Sequence, residues 1–168
     1  YPADFVAETM RRFEAVPLPR ILAGYHTSLY KRPDLKLSLR ALRARAVFTL
    51  YRHKIARYRQ VKGLSQAVAH ASVVDQVATN AAIIRGRDAP DYAYMRNSQK
   101  FVDVRLAKWC FEHDITPICL PRPAGWMSTA PDDDSIFRTF TSSHHAHVAD
   151  EIWSYAFKVK QRGREFPG

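Results

Sequence analysis

The sequence predicts an α/β layered domain. Short apolar runs suited to buried strands alternate with stretches whose apolar residues recur at helical spacing. The chain has 168 residues, 46% of them hydrophobic and 25% charged, enough for one domain with its own core. Internal repeats and low-complexity linkers are lacking, so a single domain piece is expected over residues 1–168.

Pro2 to Glu14 reads as a first helix, with Phe5, Met10 and Phe13 near one face and proline at its start. Arg20 to Gly24 reads as a strand, followed by Tyr25-His26-Thr27. Residues 35–62 stay open between two periods. Leu35, Leu37 and Leu39 alternate as in a strand or long hairpin, whereas Leu35, Leu39, Leu42 and Ala46 fit a helix. Ala69 to Val77 and Ala81 to Arg85 read as two strands around Ala78-Thr79-Asn80, and Asp88 to Ser98 as a polar loop.

Phe101 to Trp126 is the most structured stretch. Ser98 is the expected cap, and Val102, Leu106, Trp109, Cys110 and His113 form one helical stripe that ends at His113-Asp114. Ile115, Ile118, Cys119 and Leu120 suit a short buried strand, which Pro121, Pro123 and Gly125 break into a loop ending at Trp126. Ser128 to Thr141 reads as loop. A last amphipathic helix is expected near His145 to Lys160, with Val148, Ile152, Tyr155, Ala156 and Val159 on its apolar face. Ser142 or Ser143 can cap it, and Lys158 and Lys160 suit its C-terminal dipole.

Charge is concentrated. The formal net charge is +10, and residues 31–62 hold eleven of the 26 Lys and Arg but only one of the 16 acids, Asp34. The rest of the chain is balanced. Such a segment can attract phosphates, anionic lipid or nucleic acid, or stand solvated. Cys110 and Cys119 both lie in apolar patterns and read as reduced core residues of a cytoplasmic protein. No stretch approaches the roughly 18 apolar residues of a membrane helix. No signal-peptide layout opens the chain, and a first residue of Tyr leads us to expect a longer natural protein upstream.

Four features could carry chemistry. Asp75 with Gln76 ends an expected strand, where ligands of open α/β sheets collect, although on spacing alone a loop-capping Asp is the better explanation. Asp103 is the one early carboxylate of its helix, a position the helix dipole alone favours by roughly 0.3–1 kcal/mol. Asp132-Asp133-Asp134 has the look of a metal cluster but fits a solvated turn. Ser143-His144-His145-Ala146-His147 fits a polar helix start better than a ligand set. Glycine-rich phosphate loops, nucleophile elbows, zinc-protease motifs and nucleic-acid signatures are missing.

The order of segments resembles a family. VVDQVATNAAIIR (Val73–Arg85), then FVDVRLAKWC and ITPICLPRPAGW, is similar to the distal half of bacterial inverting GT-A-fold glycosyltransferases of the family-two type, enzymes of polysaccharide and capsule synthesis. The opening YPADFVAETM resembles the segment just after their metal-binding D-x-D motif. The resemblance spans about Tyr1 to Phe140, and Ala78-Thr79-Asn80-Ala81 stands where the family has a G-T-G-T-like loop.

The resemblance implies the distal part of a Rossmann-like mixed sheet with flanking helices, carrying a basic insertion near 31–62. It implies sugar transfer from a nucleotide-sugar donor to a glycan or lipid-linked acceptor. Asp103 would be the general base, with Asp75, Gln76, Thr79 and Trp126 lining the substrate pocket. A divalent Mg or Mn ion would neutralise the departing nucleoside diphosphate, its ligands lying upstream of this chain. Nucleic acid is not an expected partner on this reading. The expected location is cytoplasmic, with the basic segment free to meet an anionic membrane surface. The alternative is a non-catalytic anion- or nucleic-acid-binding module that uses residues 31–62.

Overall fold

The computed structural model describes residues 2–31, 39–50, 55, 58–98, 101–128 and 146–167. Its helices are α1 (Phe5–Glu14), α2 (Leu39–Leu50), α3 (Tyr92–Met95), α4 (Val102–Glu112) and α5 (Ala146–Tyr155). Its strands are β1 (Ile21–Gly24), β2 (Thr27–Tyr30), β3 (Arg59–Lys62), β4 (Ala71–Val73), β5 (Gln76–Val77), β6 (Ala82–Ile84), β7 (Thr116–Cys119) and β8 (Glu165–Phe166). Five strands form a mixed sheet in the order β6-β1-β7-β4-β8, and β3-β2-β5 form a second, antiparallel sheet. Among the described residues only β1 and β7 pair in parallel, with Ile21 opposite Thr116 and Gly24 opposite Cys119. The fold is α/β with a mixed sheet flanked by helices, as the alternation of strands and helices predicts.

Strand alternation sorts side chains to two faces. Ile21, Ala23, Val73 and Ile118 join Phe13 and Val16 from the α1 region in one core cluster. Leu22, Val74, Val77 and Cys119 pack with Leu106 and Cys110 of α4 in another. A third cluster ties α4 to α5 through Val104, Ala107, Val148, Ile152 and Tyr155, and reaches Tyr30 on β2. Burying an aliphatic side chain of this size contributes roughly 1.5–3 kcal/mol, so these three clusters carry most of the stability.

Several elements differ from expectation. The strand expected over Ala69–Val77 is two strands in two sheets, because the chain crosses between them at Val74-Asp75. Residues 35–62 hold both a helix and a strand: α2, then β3 pairing antiparallel with the unanticipated β2. The loop expected at 88–98 contains α3, capped by Asp91, whose Oδ1 accepts from the Tyr94 amide at 2.7 Å. Ser98 closes a 3-10 turn instead of capping α4, whose N-cap position is Phe101 and carries no side-chain cap bond. Met10 and Val102 lie at exposed positions while their expected stripe-mates are at least partly buried, which narrows both stripes.

The last helix stops at Tyr155, five residues before Lys160. Phe157 takes a left-handed φ of 71°, which breaks the helix and turns the chain back toward the sheet. Val159 therefore packs in the α1 cluster and not on the face of α5. The acidic run Asp132–Asp134 and the residues His144 and His145 lie outside the described residues. No helix among the described residues is long and apolar enough to cross a membrane.

Candidate functional site

The carboxyl ends of the parallel pair β1 and β7 define one rim of the main sheet. Open α/β folds place ligands at such ends. β1 ends at Gly24, and the chain continues as Tyr25-His26. A Cβ on Gly24 would stand 2.5 Å from Val77 Cγ1 and 2.6 Å from the Ala81 carbonyl oxygen, so only glycine allows this approach. The approach lets the Tyr25 amide donate to Ala81 O at 3.2 Å and the Ala78 amide donate to His26 O at 2.8 Å. Together these bonds lock the turn Thr79–Ala81 against the end of β1.

That turn receives Asp103. Helix α4 leads through His113–Ile115 into β7, so its first turn lies at the end of the sheet where β7 finishes. Asp103 Oδ1 accepts two hydrogen bonds from one residue, the Thr79 amide and the Thr79 hydroxyl, each at 2.8 Å. The carboxylate is half-buried, and Oδ2 accepts no hydrogen bond among the described residues. One oxygen is thereby fixed by Thr79.

His26 shares this rim and interacts with Asp103 electrostatically. Burial lowers the imidazole pKa below its usual value, and the Arg59 and Arg122 cations add to the effect while Asp103 opposes it. His26 is therefore neutral at pH 7. Arg59, on β3, donates from Nε to Ser28 Oγ at 2.7 Å. Arg122 is 3% exposed, and its guanidinium spends its donors on carbonyls: Nε to Leu64 O at 3.0 Å, Nη1 to Leu120 O at 3.3 Å, and Nη2 to Gly63 O. His26 thus lies within electrostatic reach of one carboxylate, Asp103, and two cations, Arg59 and Arg122.

The remaining sequence-predicted residues are placed elsewhere. Asp75 is 0% exposed and its oxygens are taken by Arg162, by the Tyr30 amide at 2.7 Å and by the Phe157 amide at 3.4 Å. Gln76 is buried beside it, and its Oε1 accepts from the hydroxyls of Tyr30 at 2.9 Å and Tyr155 at 3.2 Å. Burial pushes Tyr30 up to about 12 and Tyr155 well above the usual tyrosine value, so both remain donors. Asp75 and Gln76 brace the junction of the two sheets behind the rim. Trp126 stacks with Phe5 at 5.9 Å, meets the edge of Tyr25 at 5.2 Å and lies under the Arg12 guanidinium at 4.3 Å. It is half-buried on the α1 side, one residue along the chain from His26 through its contact with Tyr25.

Of the predicted residues, then, the fold brings Thr79 and Asp103 into direct contact and sets Asp75, Gln76 and Trp126 apart from them. His26, Arg59 and Arg122 join the rim without having been singled out from the sequence. The signal for His26 was present, since it lies two residues past the end of an expected strand. Among the described residues no three His, Cys, Asp or Glu side chains come together as a cation site. The described residues therefore do not supply the ligand set for the expected divalent ion. No family model matches this chain, and no curated protein matches it either.

Proposed function

We propose that this chain is the acceptor-side part of an inverting glycosyltransferase of GT-A type, with Asp103 as general base. The observation that carries the reading is a half-buried carboxylate held through one oxygen by both donors of Thr79, at the carboxyl-end rim of the sheet. A base needs a fixed orientation and an oxygen able to take the proton, and the two Thr79 bonds to Oδ1 support that role by orienting the carboxylate. The mixed sheet with flanking helices and the ordered motifs from Val73 to Trp126 support the same reading.

The step balances as a single displacement. Asp103 takes the proton of an acceptor hydroxyl as that oxygen bonds to the anomeric carbon of the donor sugar. The bond from that carbon to the diphosphate oxygen breaks, and the nucleoside diphosphate leaves with its electron pair. Attack opposite the leaving group inverts the anomeric configuration. Asp75 and Gln76 support the rim from inside the fold, and Thr79 orients the base. Trp126, engaged by Phe5, Tyr25 and Arg12, flanks this side of the fold apart from the base. A divalent ion would assist departure of the diphosphate when bound; among the described residues no ligand group for it forms.

The test uses the natural full-length protein with a panel of nucleoside-diphosphate sugars. Expected is acceptor-dependent release of nucleoside diphosphate, with proton NMR showing a product of opposite anomeric configuration to the donor. Retained configuration, or no acceptor-dependent release from any donor, would overturn the proposal. A second reading, a non-catalytic anion- or nucleic-acid-binding module, draws on the charge of residues 31–62 and predicts binding that weakens steeply with salt.

A further inference from the structure

Helix α2 buries Phe48 against the protein and leaves Leu39, Leu42 and Leu50 exposed. Phe48 is 7% exposed, and its ring meets Tyr58 at 4.6 Å, Trp153 at 5.1 Å and Phe157 at 5.6 Å. Leu39, Leu42, Ala46 and Leu50 recur at helical spacing along one stripe, about 200° around the axis from Phe48 for Ala46 and Leu50. The three leucines are 88%, 58% and 75% exposed. Lone exposed leucines are ordinary, but three aligned on one helix face form a surface that water disfavours. Arg43 is exposed on the same helix, α2 contains no acid, and the surrounding segment 31–62 carries the whole net charge of +10.

We propose that α2 is a membrane-surface helix that lays its leucine stripe into the headgroup boundary of an anionic bilayer. The pairing of an aliphatic stripe with a segment whose sequence carries a net charge of +10 selects this occupant. A nucleic acid would satisfy the arginines but offers no apolar phase to three leucines. A second copy would cover the leucines but bring two segments of the same high positive charge together. Twelve residues span about 18 Å, well short of a hydrocarbon core of about 30 Å, so the helix lies along the surface. This inference is independent of sugar transfer and holds for either reading of the rim.

The experiment is vesicle flotation of the full chain with phosphatidylcholine alone and with about 30% phosphatidylglycerol added, at low and high salt. Binding is expected on the anionic vesicles only, weakening as salt rises. The triple variant Leu39→Gln, Leu42→Gln, Leu50→Gln should bind at least about tenfold more weakly with an unchanged melting temperature, because the replaced side chains are exposed. Arg43→Gln should weaken binding about fivefold. Absence of binding to the anionic vesicles would overturn the proposal, and so would binding that the triple variant leaves intact. Light scattering that finds a dimer dissolved by the triple variant, or retention of RNA, with no vesicle binding, would overturn it in favour of those partners.

Discussion

Arg162 grips Asp75 from 87 residues away, with Nε 2.5 Å from Oδ1 and Nη2 2.6 Å from Oδ2. The same Nη2 also donates to the Tyr30 carbonyl, so one side chain ties the C-terminal segment to β2 and to the crossing between the two sheets. Beside it the Gly163 amide donates to Val73 O at 2.9 Å, and β8 adds to the edge of β4. The left-handed turn at Phe157 is what brings Arg162 to this place.

Removing one partner of a buried, hydrogen-bonded ion pair leaves the other charge without compensation. Arg162→Leu should therefore lower unfolding free energy by about 3–5 kcal/mol in urea titrations. Adding Asp75→Asn to that variant should recover part of the loss. A change below about 1 kcal/mol for Arg162→Leu would contradict this and show that the pair contributes little to stability.

Gly24 sits where a side chain has no room. Gly24→Ala drives a methyl group into Val77 and the Ala81 carbonyl, both within 2.6 Å of the added carbon. Relief requires moving backbone as well as side chain, so a loss of about 1–3 kcal/mol is expected. The turn that bonds Asp103 should shift with it. Faster hydrogen exchange of the Thr79 amide in Gly24→Ala would report that displacement, and unchanged exchange would show that the turn is held by other contacts.

His26 makes stability depend on pH. Its pKa is lowered in the fold, first by burial and then by Arg59 and Arg122, so below about 6.5 the unfolded chain binds more protons than the folded one. The stabilisation is fully present above the unfolded value and is lost as pH falls from there toward the folded value. Urea titrations of wild type and His26→Gln should differ more at pH 5 than at pH 7 in the direction that favours the variant. An imidazole that titrates at or above 6.5 by NMR would contradict the account.

Local patterns made α1, β1, α4 and β7 legible, because each alternates or repeats over enough residues to mark its buried face. The break between β4 and β5 left no such mark. Every residue from Ala71 to Ala78 is buried, so nothing in the run distinguishes a straight strand from one that changes sheets at Val74-Asp75. The end of α5 was hidden for a similar reason, since Val159 continues the helical period past the turn at Phe157. Asp103 stood out as an acid in the first turn of a basic and apolar helix. Its partner Thr79, 24 residues earlier, and the Arg162–Asp75 pair depend on contacts that no local spacing encodes.

The account centres on Asp103 as the base that activates an acceptor hydroxyl. The most direct measurement is the single-turnover transfer rate of Asp103→Asn in the natural full-length protein, at saturating donor and acceptor. Asparagine keeps an oxygen for the Thr79 donors and removes the basic one, so folding should hold while transfer falls by about 10²–10⁴-fold. A transfer rate near wild type would contradict the claim.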